Sequence, residues 1–122
     1  MDREKLYRSE SELCRILTHP VRLRILDELR GGERSAGELC EGVNSTKANV
    51  STHLASLRKA GVVSVRREGQ RLFYSVKFPR IYEAFDVMRE VLMSVLSDQG
   101  AIYEELKNFY KDVGGRRGRT KQ

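Results

Sequence analysis

The most informative segment of the chain is residues 46–61, TKANVSTHLASLRKAG. Val50, Leu54 and Leu57 recur in it at intervals of four and three residues, which places them on one face of a helix. The other faces carry mostly short hydroxyl and amide side chains with flanking cations, the types that reach base edges and phosphates in a DNA groove. The pattern predicts a docked helix whose outward face either reads DNA or is simply solvated.

Positive charge is concentrated around this helix. The chain has 122 residues and a formal net charge of +6. Residues 42–82 contain eight Lys and Arg against a single acid, Glu68, whereas residues 1–41 contain eight against nine and residues 83–122 seven against seven. A charge that served solubility alone would be spread along the chain. The clustering therefore favours a polyanionic partner, with nucleic acid ahead of an acidic membrane surface.

Length and composition limit the architecture. A chain of 122 residues with 39% hydrophobic content can form one domain with a modest core. No run of about 18 apolar residues occurs, and the N-terminal segment MDREKLYRSESE lacks the apolar core of a signal peptide. We therefore expect a cytoplasmic protein with no membrane partner, in which Cys14 and Cys40 are reduced.

The residues before this segment predict two helices. The first, residues 9–17, has three apolar residues on one face: Leu13, Ile16 and Leu17. Ser9 or Ser11 is available as its N-cap. Pro20 suits the first turn of a second helix, residues 21–30, which the following glycine pair ends.

A short capped helix is predicted next. Ser35 and Glu38 have the S-x-x-E spacing of a capping box, and Leu39 and Cys40 follow as the apolar side of a third helix. About four residues around Gly42 then lead into the segment at 46–61. Two helices joined in this way form a helix-turn-helix, whose second helix enters the major groove of DNA.

After residue 61 the spacing of apolar residues changes from helical to alternating. Apolar and polar residues alternate over 62–67 and 70–76, and Glu68-Gly69 between them is a hairpin signal because glycine tolerates positive φ. We predict a two-stranded ribbon with three arginines at its tip: Arg66, Arg67 and Arg71. A basic hairpin after a reading helix is what a wing needs to straddle the phosphate backbone.

A long apolar helix is predicted after Phe78-Pro79. About half of its circumference is apolar, through residues that recur every three or four positions: Ile81, Phe85, Met88, Leu92 and Val95. Together with the apolar first helix, this surplus suggests a subunit interface; the alternative is an intramolecular core. Beyond Gly100, an apolar face continues through Ile102, Leu106 and Phe109. The basic, Gly-rich residues 113–122 are predicted to be a disordered tail of a domain spanning 1–112.

Four blocks of the sequence resemble the ArsR/SmtB family of winged-helix transcriptional repressors: ILTHPVRLRIL, SAGELC, STKANVSTHLASLRKAGVV and VRREGQRLFYSV. The resemblance covers roughly residues 11–95. It implies a mostly α-helical winged helix-turn-helix with a small β-hairpin wing, which dimerises through its first and C-terminal helices. It also implies that the homodimer binds double-stranded DNA at an operator with dyad symmetry, with half-sites about 34 to 36 Å apart, and leaves it when an effector arrives.

The resemblance aligns the family's reading helix with residues 47–53 and its wing tip with 66–71. Asn49 can pair with adenine, and Lys47 can reach guanine or a phosphate. The candidate DNA-contact residues are Lys47, Asn49, Ser51, Thr52, His53, Ser56, Arg66, Arg67 and Arg71. His53 flanks the apolar stripe, so its alternative role is packing against the preceding helix. A winged helix used only for protein contact remains the alternative function.

The effector is not identified by the sequence. Family members that sense metals through thiols have ELC-x-C on the third helix, and this chain has ELCEG, with Cys40 alone. One thiol cannot supply the three or four soft ligands such metals prefer unless Cys14 or a partner subunit contributes, so we expect no metal site and no cofactor. Cys14 and Cys40 are candidates for thiol sensing or inert residues; an organic ligand, a partner protein or no effector remain open.

Catalysis is not expected. The chain's two histidines, His19 and His53, have no nearby nucleophile or carboxylate cluster, and no Gly-rich phosphate loop occurs. His19 lies beside Pro20, where we interpret it as a helix-boundary residue without chemistry.

Overall fold

The computed structural model describes residues 1–100, 104–105, 107–109 and 111, and the chain forms two compact units, Met1–Lys77 and Phe78–Gln122. The elements of the first unit are, in order, α1 (Arg3–Leu17), α2 (Pro20–Glu28), β1 (Arg34–Ser35), α3 (Ala36–Gly42), α4 (Lys47–Lys59), β2 (Val63–Glu68) and β3 (Arg71–Val76). The second unit contains α5 (Ile81–Ser97). The domain boundaries at 112 and 113 stay a prediction, and residues 113–122 lie outside the described part.

Helix α1 is longer than its apolar pattern indicates. It begins at Arg3 because the Asp2 carboxylate accepts a hydrogen bond from the backbone N–H of Lys5 at 2.8 Å. An acidic N-cap both satisfies a free N–H and interacts favourably with the positive end of the helix dipole. The predicted start at residue 9, with Ser9 or Ser11 as the cap, is therefore wrong.

Helix α2 begins with a histidine cap. His19 Nδ1 accepts a hydrogen bond from the backbone N–H of Val21 at 3.1 Å, and Pro20 occupies the first helical position. His19 is thus a boundary residue, as predicted, but one whose imidazole has a structural role. The helix ends at Glu28, two residues earlier than expected, and Gly32 follows with φ of 126°, a backbone conformation that favours glycine.

The helix-turn-helix is formed by α3 and α4. The capping box is present in full: Ser35 Oγ accepts from the N–H of Glu38 at 3.1 Å, and Glu38 Oε1 accepts from the N–H of Ser35 at 2.9 Å. The hydrogen bond from the Ser35 backbone, with a further contribution from its hydroxyl, lowers the pKa of Glu38. Thr46 caps α4 by accepting from the N–H of Asn49 at 3.1 Å. Both helices predicted around this turn are confirmed.

The wing contains three strands rather than the two predicted. They form an antiparallel sheet in the order β1-β3-β2, in which Ser35 of β1 is the register partner of Phe73 of β3. The hairpin itself is confirmed, with Gly69 at φ 64° between the paired residues Glu68 and Arg71. The prediction missed β1 because two residues are too few to show alternation.

The core of the first unit contains seven fully buried side chains: Ile25, Leu26, Leu39, Val43, Val50, Leu57 and Val63. Two of them, Val50 and Leu57, belong to the apolar stripe predicted for α4, and Leu54, the third member of that stripe, is 3% exposed. Burial of this stripe fixes the rotation of α4 about its axis, and therefore which of its side chains face outward.

Helix α5 has a solvent-exposed apolar face. Five of its large hydrophobic residues are about half exposed or more: Val87, Met88, Val91, Leu92 and Val95. Gly100 follows with φ of 78°, a backbone conformation that favours glycine. Of the apolar residues predicted beyond it, Phe109 is exposed and helical, whereas positions 102 and 106 lie outside the described residues.

Candidate nucleic-acid interface

The outward face of α4 contains most of the residues predicted to read DNA. Lys47, Asn49, Ser51 and Thr52 are exposed, and Ser56 is half-buried. Their exposure follows from the docking of the apolar stripe, because residues between its members in sequence must project sideways or outward. The structure therefore brings five of the nine predicted residues onto one helix with their polar groups accessible.

The polar atoms of this face are partly committed to local hydrogen bonds. Thr52 Oγ1 donates to the carbonyl of Ala48 at 3.0 Å, and Ser56 Oγ donates to the carbonyl of Thr52 at 3.3 Å. These hydroxyls have used their proton and keep acceptor lone pairs. Asn49 Nδ2 donates to Ser45 Oγ at 2.8 Å, so one amide hydrogen and the carbonyl oxygen remain available. That combination still allows the bidentate pairing with adenine expected of Asn49.

His53 lies on the inner side of α4. It is 9% exposed, and its Nδ1 accepts a hydrogen bond from Nε of Arg22 at 3.1 Å. Its ring also contacts the ring of His19, with centroids 4.3 Å apart. Burial, followed by the charges of His19 and Arg22, lowers the pKa of His53. This geometry favours packing against the preceding helix over the predicted DNA contact.

Arg66 is engaged within the protein. Its Nε and one terminal nitrogen donate to the two carboxylate oxygens of Glu33 at 2.9 and 2.8 Å, and the other terminal nitrogen donates to Glu68 at 2.7 Å. These hydrogen bonds, the pair with Glu33 first, raise the pKa of Arg66. The guanidinium also lies 4.5 Å from the ring centroid of Phe73. Arg66 therefore ties the wing to the loop before β1.

The other two wing arginines, Arg67 and Arg71, form no salt bridge with Glu33 or Glu68. Arg71 lies over the same Phe73 ring, at 5.0 Å from its centroid. Arg67 is exposed and follows Arg66 in β2, so it projects from the opposite face of the ribbon. Within the described residues its side chain forms no hydrogen bond or ion pair. Arg67 and Arg71 are thus the two wing cations that no carboxylate holds by a salt bridge in the described part of the chain.

A groove beside α4 was not predicted from the sequence. It has a volume of about 410 Å³ and is lined by Ser51, Leu54, Ala55, Arg58, Lys59 and Tyr74. Ser51, Ala55 and Arg58 are spaced by four and three residues, so the signal was present as a second stripe on α4. Arg58 and Lys59 add two exposed cations to the surface near Ser51.

The two cysteines lie on different helices of the first unit. Cys14 on α1 is exposed, Cys40 on α3 is half-buried, and both are free thiols. The described residues contain no cluster of three or more His, Cys, Asp or Glu side chains that could hold a metal ion. Nor, over the same part of the chain, is any helix long and apolar enough to cross a membrane.

Comparison with known proteins identifies the family. A family model described as a helix-turn-helix domain matches residues 17–66. The HTH-type transcriptional regulator Rv0081 of Mycobacterium tuberculosis is 44% identical over 108 residues, covering 88% of this chain and 95% of that protein. Its crystal structure matches with a TM-score of 0.71 over 79% of this chain and 97% of the other. The transcriptional repressor SdpR of Bacillus subtilis is 35% identical over 78 residues, which cover 64% of this chain and 87% of SdpR.

The structure of a homodimeric relative supports the same family assignment. The winged helix-turn-helix DNA-binding domain Mb0332 of Mycobacterium bovis, a possible ArsR-family regulator, matches with a TM-score of 0.67 and 27% identity. The match covers 80% of this chain and 92% of that domain. These relatives are transcriptional regulators rather than enzymes, and the winged helix-turn-helix fold is confirmed. The chain belongs to the ArsR/SmtB family of winged helix-turn-helix transcriptional regulators.

Proposed function

We propose that this protein is a sequence-specific transcriptional repressor that binds a dyad operator in the cytoplasm as a homodimer and is released by an effector. The observation that carries the proposal is the exposed polar face of α4, which lies within the region of concentrated positive charge. A helix that is docked by one apolar stripe and otherwise presents short polar groups is suited to a major groove.

Specificity and affinity are assigned to different residues in this proposal. Lys47, Asn49, Ser51 and Thr52 supply donors and acceptors to base edges, because they are exposed on α4. Ser56, half-buried, offers an acceptor to a nearby phosphate. The two wing arginines outside the salt bridges of the described residues, Arg67 and Arg71, neutralise backbone phosphates, which raises affinity with little sequence choice. The roles of Arg66 and His53 are instead to hold the wing and α4 in position.

The homodimer is inferred from apolar surface that a monomer leaves in water. Helix α1 exposes Leu6, Tyr7 and Leu13, and α5 exposes the five-residue face described above. A second copy of the chain would bury both faces, and the relative Mb0332 is itself a homodimer. Two reading helices related by a dyad require half-sites one helical turn apart, about 34 to 36 Å.

The effector has several candidates. Cys14 is exposed and can react with a thiol oxidant, whereas Cys40 is half-buried on α3. A soft metal would need ligands from both thiols or from a second subunit, because three or four are preferred. An organic ligand, a partner protein or the absence of an effector are the competing alternatives.

The proposal is tested by titrating the protein against the DNA upstream of its own gene and against a scrambled duplex, with zinc, arsenite and a thiol oxidant added in turn. We expect preferential binding to one dyad site and affinity that falls steeply with salt. Equal, weak binding to both duplexes that is insensitive to salt would favour the alternative, a protein-docking winged helix. Failure of all three additives to release the DNA would remove the thiol hypothesis.

A further inference from the structure

Three helices of the first unit meet at one side chain, Arg22 of α2. Its Nε donates to His53 Nδ1 on α4 at 3.1 Å, and one terminal nitrogen donates to the carbonyl of Ile16 in the last turn of α1 at 3.1 Å. Carbonyls at a helix C-terminus lack intrahelical partners and attract cations. Arg22 therefore links the end of the proposed dimerisation helix to the proposed reading helix through two part-buried hydrogen bonds.

This link places a condition on the protonation of His53. A guanidinium only donates hydrogen bonds and does not lose its proton in proteins. The Nδ1 atom that receives its hydrogen bond must therefore be unprotonated, so the ring is neutral and its proton is on Nε2. A second proton would replace the acceptor by a donor and bring two cations into contact at a site that is 9% exposed.

Among the described residues, the groups around His53 disfavour its charged form. The titratable and charged groups that act on it, over the described residues, are His19 and Arg22, and both lower its pKa together with burial. Both come from the start of α2; α1 contributes the Ile16 carbonyl, which Arg22 already occupies. No carboxylate of α1, α3 or the wing strands acts on the imidazole in that part of the chain.

We propose that Arg22 is a positioning residue for DNA reading, which holds α4 in its binding orientation through neutral His53, so that operator binding is lost when His53 is protonated. The inference rests on the proposed function, because it concerns the affinity of that same interface. The predicted change in affinity on acidification is opposite to that of a direct contact, because a His53 that touched phosphate would bind DNA more tightly once charged.

The test is the affinity for the cognate and scrambled duplexes, measured by fluorescence anisotropy between pH 7.5 and 5.0. The chain has two histidines, and carboxylates titrate mostly below this range, so few side chains can respond. Because the pKa of His53 is lowered by burial and by the charges of His19 and Arg22, we expect cognate affinity to begin to fall only on the acid side of about pH 6.5, the usual imidazole value. The loss should reach about tenfold at about pH 5.0, since each dimer has two His53 residues. His53→Gln keeps a neutral acceptor for Arg22, and its affinity should be high and independent of pH.

Two further variants separate this role from a general effect. His19→Asn retains a residue that can cap α2 and removes the other imidazole. We expect this variant to lose cognate affinity on acidification as the wild type does, but at a higher pH, because the His19 charge that lowers the pKa of His53 is absent. Arg22→Gln should reduce the ratio of cognate to scrambled affinity at pH 7.5 and flatten the pH profile. Arg24→Gln, which removes an exposed positive charge from the same helix, should leave both unchanged.

Circular dichroism at each pH completes the test. The wild-type helical signal should persist at about pH 5.0, the acid end of the titration, while cognate affinity falls. Cognate affinity that stays constant or rises on acidification would overturn the inference, as would an affinity loss that coincides with unfolding. If the wild-type protein fails to distinguish cognate from scrambled DNA even at pH 7.5, the proposed function itself is contradicted, and the inference falls with it.

Discussion

Replacing Arg67 by alanine should weaken the salt dependence of DNA binding. The Arg67 side chain is exposed on the opposite face of β2 from Arg66 and forms no ion pair with the described residues. Neutralising one phosphate contributes about 0.9 to the slope of log K against log salt concentration. A dimer would lose two such contacts, so the slope should decrease by about 1.8. Between about 50 and 200 mM salt, wild-type affinity should then fall roughly tenfold more than that of the variant.

Arg66→Ala is the matched comparison for this measurement. It removes the same charge one residue away, but its guanidinium already pairs with Glu33 and Glu68. We therefore expect a smaller change in slope, together with a lower total affinity because the wing loses its ion pair with Glu33. The assay is anisotropy on operator and scrambled duplexes at four salt concentrations. An unchanged slope for Arg67→Ala, or a larger change for Arg66→Ala, would refute the assignment of phosphate contacts in the wing.

Three other substitutions test separate parts of the account. Asn49→Ala should cost about 1 to 3 kcal/mol on the cognate operator and little on scrambled DNA, and an equal loss on both would exclude a reading role. Val91→Glu, on the exposed apolar face of α5, should convert the dimer to a monomer in sedimentation experiments. The control Ser97→Glu, at an exposed polar position of the same helix, should remain a dimer. A Val91→Glu variant that is still dimeric would disprove this interface. Leu57→Ala should lower the free energy of unfolding by about 2 to 5 kcal/mol in urea titrations, because Leu57 is fully buried; a change below about 1 kcal/mol would contradict its core position.

Local patterns were the part of this fold that sequence could predict. The capping box of Ser35 and Glu38 spans four residues, and the hairpin needs one glycine between two alternating runs. The stripe of α4 likewise depends on spacings of three and four. Each signal is complete within a short segment, so no knowledge of distant residues is needed.

Contacts between residues distant in sequence, and segments with little periodicity, could not be predicted. Arg66 meets Glu33 across 33 positions, and nothing in either local sequence indicates that contact. His53 lies beside the stripe on a helical projection, where a side chain can turn inward or outward. Its inward orientation depends on contacts with Arg22 and His19, which belong to the start of α2. The start of α1 was missed because its first two turns are mostly polar and carry little periodicity.

The central claim is that the outward face of α4 reads DNA, and NMR of the isotope-labelled protein tests it most directly. We predict that operator DNA shifts the backbone signals of residues 47–52 and the side-chain amide signal of Asn49, and that scrambled DNA shifts mainly the wing signals of Arg67 and Arg71. Shifts confined to α5, or identical α4 shifts with both duplexes, would contradict the claim.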